Sequence, residues 1–356
     1  MTWSWNESGR IDSFEFEKIS NTNLNTSLGK LECLVTGGTL TYSYFSDLKV
    51  SGSLDIINAP SNMAEQEYLI RIWYTPQLNG ERKKIELGTF YFDAELHYEN
   101  GMYKGTLNLR SMLARHLDDL TIQKWTIAKN SKVSANYKKV FKALGGFPKI
   151  DGVKDSTINK NHIFDVGVTP MEILQYLADT CGGEITVDTH GRTVLKKYLT
   201  PKQKAKSIST IISANAKSVV KAGMDISNTY KQIPNRVVCI YETGEGKNSK
   251  QYIGKAALDK KEARSFNKIG KWITNYYKVN NCKTPYVQNL NKLAATKLAR
   301  ANSKTIYYTF NSYYQPLELG EVIKLKYDDI VVKGLVSNIE LDLAIGLPMK
   351  VKIRKV

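Results

Sequence analysis

Along the first hundred residues, apolar and polar side chains alternate. Phe14-Glu15-Phe16-Glu17, the run Tyr68–Tyr74 and the run Phe90–Leu96 repeat with a period of two and are rich in aromatic and β-branched residues. That is the pattern of half-buried strands. Two Asn-Gly pairs, Asn79-Gly80 and Asn100-Gly101, punctuate these runs. Both residue types accept the positive φ of a tight hairpin turn, so a β-meander is expected. Near residue 110 the period lengthens. Leu109, Met112, Leu113, His116, Leu117 and Leu120 fall on one helical stripe, which predicts a short helix closing a first domain.

The middle of the chain carries helix signals. Ser134 precedes Tyr137, Val140, Phe141 and Leu144, and Gly145-Gly146 follow, predicting a helix with Ser134 as its N-cap and a glycine stop. Thr169-Pro170-Met171-Glu172 has Thr at the cap, Pro at the first helical position and Glu three after the cap, which together satisfy the free N–H groups of a helix start. Ile173, Leu174, Leu177 and Ala178 supply its buried face and Gly182-Gly183 end it. Glu184–Asp188 and Thr193–Tyr198 then form a hairpin turning at His190-Gly191. From about residue 205 strand-like segments return, with Arg236–Tyr241 the clearest, followed by an exposed Gly- and Lys-rich loop at 243–250. A helix starting at Thr284-Pro285 has Leu290, Leu293, Ala294 and Leu298 as its stripe. Strands follow at 305–310, 322–327, 330–333, 336–341 and 349–354, with Asp328-Asp329 as a turn. The expected fold is mainly β with an α+β insertion. Two barrel-like β domains, 1–120 with its closing helix and 205–356 with an inserted helix, flank a small domain of helices and a β-hairpin at 121–204.

Composition narrows the class. A length of 356 residues suits two or three domains, and 42% hydrophobic with 24% charged residues is a folded composition. Lys and Arg number 51 against 34 Asp and Glu, a net charge of +17. Such a field favours a polyanion or an acidic protein face. Cys33, Cys181, Cys239 and Cys282 form no CxxC pair and only four His accompany them, against a zinc cage or disulfide scaffold and for thiols in a reducing cytosol. No apolar run reaches the roughly 20 residues of a membrane span, and the start has no leader pattern. The expected protein is soluble, without a membrane span, and made or assembled inside a cell.

Candidate chemistry is sparse. Asp93 and Glu95, Asp118 and Asp119, and Asp328 and Asp329 are carboxylate pairs. Alternation puts Asp93 and Glu95 on one solvent-facing side of a strand, and adjacent Asp residues suit turns and helix surfaces. Of His116, Asp118 and Asp119, only positions three or four apart share a helix face, which leaves one His and one carboxylate. His190 is expected to be exposed in its turn, and His162 and His97 have no ligand partner by spacing. Gly244-Glu245-Gly246-Lys247 lacks the third glycine of a dinucleotide loop. No catalytic, cofactor-binding or metal-ligating residue is assigned, and no cofactor is expected. Lys350, Lys352 and Arg354 line one face of the last strand and are the candidate channel or partner-contact face. Lys outnumbers Arg and no nucleic-acid motif accompanies it, against base-specific binding. Tyrosines cluster at Tyr42 and Tyr44, Tyr276-Tyr277, Tyr307-Tyr308 and Tyr313-Tyr314, as protein interfaces do.

The segment Pro170–Gly183, running into Glu184–Asp188, His190-Gly191-Arg192 and Val194–Lys197, resembles the capped helix and hairpin of phage tail baseplate hub proteins, a family shared with related contractile injection systems. Asn235–Tyr241, Ile253-Gly254, the helix after Thr284-Pro285, Pro316–Val322, Val336–Glu340 and Met349–Ile353 resemble that family's second barrel in the same order. The resemblance covers about 165–356, and the first 110 residues share only architecture. It implies a structural, non-enzymatic virion protein of the tail baseplate, assembled in the bacterial host cytoplasm. It implies a homotrimer whose two barrel-like domains per chain make a pseudo-sixfold ring. Such a ring joins the sixfold tail tube, or a distal tail protein, to a threefold spike or tail fibre. The tape-measure protein and then DNA pass through its lumen during genome ejection. The chain stops at Val356, after the last barrel strand, so no added lytic domain is expected. Two other readings stay open: a tail-associated cell-wall (peptidoglycan) hydrolase using Asp93 or Glu95, and a nonspecific polyanion-binding protein marked by DNA affinity that falls steeply with salt.

Overall fold

A computed structural model describes residues 11–65, 67–208, 210–214, 220–228, 233–244, 249–262, 264–279, 282–302, 306–344 and 347–356. Strand alternation is realised in one large sheet of 13 strands. Its order is Val220–Asn228, Ile306–Ser312, Met349–Lys355, Ile330–Asp342, Leu34–Ser43, Val50–Ala59, Met102–Ser111, Ile85–Glu99, Tyr68–Tyr74, Phe14–Ser20 and Ser27–Lys30, with Val322–Tyr327 and Ile211–Ser213 branching from Ile330–Asp342. The fold is mainly β, as the alternation implies. The early and late strands meet where Ile330–Asp342 pairs antiparallel with Leu34–Ser43, from Asp342 opposite Thr39 to Asn338 opposite Ser43. One core lies under both sets, with Leu40, Leu54, Phe90 and Leu107 from the early strands and Phe310, Ile339, Val351 and Ile353 from the late ones. Each such side chain contributes about 1.5–3 kcal/mol of burial.

Both Asn-Gly turns form: φ is +51° and +83° at Asn79 and Gly80, and +51° and +80° at Asn100 and Gly101. Two local expectations change. Tyr68–Tyr74 is buried on both faces apart from Trp73. Ile70, Ile72 and Tyr74 face the main core while Leu69 packs with Ile19, Leu24 and Met112 on the other side. The helix expected from Leu109 onward shrinks to Ala114–Asp118. The ladder between Met102–Ser111 and Ile85–Glu99 continues to Ser111 opposite Phe90, so inter-strand hydrogen bonds claim Leu109.

Residues 121–204 pack the helices Val133–Leu144 and Pro170–Cys181 with a three-stranded sheet of Pro148–Asp151, Thr193–Lys197 and Gly183–Val187, and with the pair Trp125–Ile127 and His162–Phe164. The Thr169 capping box is present. Glu172 N–H donates to Thr169 Oγ1 at 3.3 Å, Thr169 N–H donates to Glu172 Oε1 at 3.2 Å, and Gly182 ends the helix at φ +66°. Ser134 is not the cap of the other helix. Lys132 takes that position without a side-chain bond. Ser134 N–H and hydroxyl instead donate to the Asp155 carboxylate at 3.0 and 2.8 Å, so a neighbouring loop serves the first turn.

Residues 236–302 form a sheet of their own, Lys250–Ala257, Arg236–Thr243 and Thr274–Lys278, covered on one side by the helix Tyr286–Asn302. Leu290, Ala294 and Leu298 on that helix are buried, as its stripe implies. Gly254 lets the helix approach, since a Cβ there would lie 2.3 Å from Leu290 Cβ. Most of the Gly244–Lys247 motif lies outside the described residues.

Candidate channel and partner surfaces

Antiparallel partners point to the same side of a sheet, so the register states which side chains share the face away from the core. One row crosses six strands through Arg110, Ser51, Thr41, Glu340, Lys350 and Asn311. A second contains Asp93, Asn108, Ser53, Thr39 and Asp342. A third contains Ser43, Asn338, Lys352, Thr309 and Asp225. Glu95, Thr106 and Asp55 make a fourth. Every residue in these rows is polar and exposed or half-exposed, and most are short. Several satisfy one another: Asn108 Nδ2 donates to Glu95 Oε1 at 2.8 Å, Thr106 Oγ1 to Asp55 Oδ1 at 3.3 Å, and the hydroxyls of Thr39 and Ser53 lie 3.4 Å apart. The result is a low, wet wall that runs unbroken across the seam between early and late strands.

The three basic residues of the last strand lie on this face at different depths. Lys350 is exposed opposite Glu340 and Asn311. Lys352 is half-buried, its Nζ 4.6 Å from the centre of the Tyr307 ring. Arg354 is 9% exposed, with its guanidinium 4.9 Å over Phe45 and its Nε without a hydrogen-bond partner. Burial lowers the Arg354 pKa from its ordinary value. Lys350 and, in part, Lys352 are therefore open to solvent, while Arg354 chiefly packs.

The remaining candidates disperse. Asp93 and Glu95 are exposed two residues apart on the open wall. Asp93 borders a groove of about 640 Å³ with Asp118, Asp119, Arg110 and Arg115, where Arg110 Nη2 donates to Asp118 Oδ1 at 2.8 Å. Asp328 and Asp329 form the expected exposed turn. His116 is buried edge-on to Phe141, and burial, aided by Arg115, lowers its pKa to about 4. His162 stacks on Tyr176 at 4.4 Å. Among the described residues, no group of three or more His, Cys, Asp or Glu is placed to hold a metal ion. The four cysteines are free thiols, and burial pushes Cys33 up to about 11. No helix among the described residues is long and apolar enough to cross a membrane.

His190 is not simply exposed, because the hairpin tip docks on the large sheet. Its Nδ1 lies 3.1 Å from Glu86 Oε1 and its Nε2 3.1 Å from Asn25 Oδ1. The same Glu86 oxygen is 2.8 Å from Nε of Arg71, which also donates to Thr89 Oγ1 and, through Nη2, to the Leu24 carbonyl. Gly191, at φ +89°, lets the tip sit flat, since a Cβ would stand 3.0 Å from Met112 Cγ. A second junction centres on Glu184. Tyr44 donates to its Oε2 at 2.7 Å, and Lys196 and Lys204 lie 3.7 and 4.0 Å from its Oε1. Lys204 also donates to the Gly320 carbonyl at 2.8 Å. These latches hold residues 121–204 against both strand sets. A charged residue inside the apolar run Tyr68–Tyr74 was the available signal for Arg71; nothing local marks Glu184.

No family model matches the chain, and no curated protein matches it in sequence. Its fold is similar to that of the tail protein from Neisseria meningitidis MC58, with a TM-score of 0.68 at 11% identity over 96% of this chain and 97% of that one. It is also similar to the 43 kDa tail protein of prophage MuSo2 from Shewanella oneidensis, with a TM-score of 0.61 at 13% identity over 96% and 98%. The prophage tail protein gp18 from Listeria monocytogenes EGD-e aligns with a TM-score of 0.54 at 9% identity over 96% and 94%. Alignments over nearly the whole of both chains mean that the architecture is shared throughout, and not merely one domain. The chain thus has the fold of phage tail proteins, in agreement with the resemblance carried by Pro170–Lys197.

Proposed function

We propose that this chain is a structural, non-enzymatic baseplate hub of a phage tail, with the polar wall of its large sheet lining the channel. Three copies form a ring that joins the tail tube or a distal tail protein to a spike or tail fibre. The observation that carries this reading is the unbroken row from Arg110 to Asn311, which crosses the seam between Leu34–Ser43 and Ile330–Asp342. Four strands from each half of the chain contribute to the wall. A threefold ring of such chains would present six similar segments, which suits a sixfold tube.

The chemistry of the wall fits a conduit. A passing tape-measure chain, and then DNA, must neither adhere to apolar patches nor stall on one sign of charge. Short hydroxyl and amide groups give a hydrated wall, and Glu340 sits opposite Lys350 where phosphates would pass. Charges spaced beyond about 8–10 Å are screened at physiological salt, so scattered ones make no continuous sink. Light scattering at moderate salt should give about three times the 40.2 kDa monomer mass, and images of the particle should show a ring with Thr41, Ser51 and Lys350 on its inner surface. A ring whose lumen is built from another surface would refute the reading. Lys350→Ser with Lys352→Ser should leave assembly intact and alter DNA delivery, whereas Arg354 must be kept for packing.

A further inference from the structure

Residues 233–302 carry a surface of different chemistry, independent of the channel wall. In their three-stranded sheet, Val237, Cys239 and Tyr241 pack against the helix side, so the alternate residues form the opposite face. Register places Val238 between Lys255 and Tyr276, and Ile240 between Ile253 and Lys278. Small sheets with one face on a helix usually turn a polar side outward. Here Tyr276 is 66% exposed and Ile253 48%. At the end of the face, the Arg236 guanidinium lies 4.5 Å over the Trp272 ring, which stacks on Phe266 at 4.8 Å and 21°. Trp272 and Phe266 are still 42% and 40% exposed.

Trp, Tyr and Arg are the residues that dominate interface hot spots. This stack is ordered before any partner arrives: Arg236 Nε is held by Thr274 Oγ1 at 2.9 Å. Pre-ordered side chains lose less freedom on association. Charge selects the partner. Arg236, Lys255 and Lys278 lie on the face, and Lys268 and Lys271, close to Trp272 in sequence, are exposed. Among the described residues of the three strands, the acid on this face is Glu242, which accepts a hydrogen bond from Gln251 at 2.9 Å. The aliphatic centre of Val238, Ile240 and Ile253 favours a polypeptide over nucleic acid, whose bases use aromatic faces. A second copy docking the same face on this one would set Arg236, Lys255 and Lys278 against their own kind, a poor electrostatic match at this surface.

We propose that this face docks an acidic protein segment that presents apolar side chains between its carboxylates. The test uses the full chain and a fluorescent peptide alternating Glu with Leu and Phe, followed by anisotropy. A peptide with Lys for Glu and an oligothymidylate serve as comparison probes. The acidic peptide should bind, weaken with salt, and lose about tenfold in affinity with Trp272→Ala. The pair Ile253→Ser with Tyr276→Ser, both exposed and outside the core, should have the same effect without loss of fold. Failure of the acidic peptide to bind, binding that survives both variants, or oligothymidylate binding with the same dependence on Trp272 would overturn the proposal. Trimers that dissociate in the Ile253→Ser/Tyr276→Ser variant would overturn it too, by giving the face to a second copy.

Discussion

His116 is 1% exposed, edge-on to Phe141, with a Nδ1 that has no hydrogen-bond partner. Its folded pKa of about 4 lies below the unfolded value near 6.5. Between those values the unfolded chain takes up the proton first, so stability is full above about pH 6.5 and falls as pH drops toward 4. The loss from this residue amounts to about 3 kcal/mol at most. Urea unfolding at pH 7 and at pH 4.5 should show it, and His116→Phe should remove that part of the pH dependence. Arg71 is the opposite case, a buried charge that is partnered. Arg71→Met leaves Glu86 under the hairpin tip without its guanidinium, and about 3–5 kcal/mol of stability should be lost. Adding Glu86→Gln should recover part of that loss in denaturation midpoints. The sequence shows Arg71 inside an apolar run but not its partners, which come from Glu86, Leu24 and a turn more than a hundred residues away.

Elements whose signals are local could be foreseen. The Thr169 capping box, the glycine stops and the two Asn-Gly turns all have their partners within a few residues. The start of Val133–Leu144 could not, because its first-turn acceptor is Asp155, 21 residues away. Asp155→Ala should therefore cost about 1 kcal/mol, the loss also expected for Thr169→Ala, as read from urea midpoints. The pKa of Asp155 is lowered, first by the hydrogen bond from the Ser134 backbone. This cap is present above the ordinary aspartate range and is lost as pH falls through the lower folded value. Lys350, Lys352 and Arg354 share a face by strand alternation. Their graded burial depends on Phe45 and Tyr307, which spacing along one strand does not contain.

For the molecule as a whole, sequence shows the inward and outward sides of each strand but not which strands adjoin. The alternation predicts strands at 330–333 and 336–341, which the structure joins into Ile330–Asp342, but does not single out Leu34–Ser43, and only the fold makes the two neighbours. Because one core lies under both, these strands should open in the same step in native-state hydrogen exchange. The sheet at 236–302 rests on its own smaller core and should exchange in a separate, less protected step. Independent opening of Leu34–Ser43 and Ile330–Asp342 would contradict a shared core.

That seam also sets a clock. During synthesis Leu34–Ser43 leaves the ribosome long before Ile330–Asp342 exists, roughly 15 to 60 s earlier at ordinary elongation rates. Until then one of its edges has no strand to pair with, and an open edge invites the wrong neighbour. In the folded sheet the register between this strand and Val50–Ala59 shifts between Val35 and Gly37, and an irregularity of that kind makes a strand edge a poorer template for a wrong neighbour. A nascent chain interrupted before the late strands cannot complete the wall, so the sheet closes across its seam only after translation has passed them.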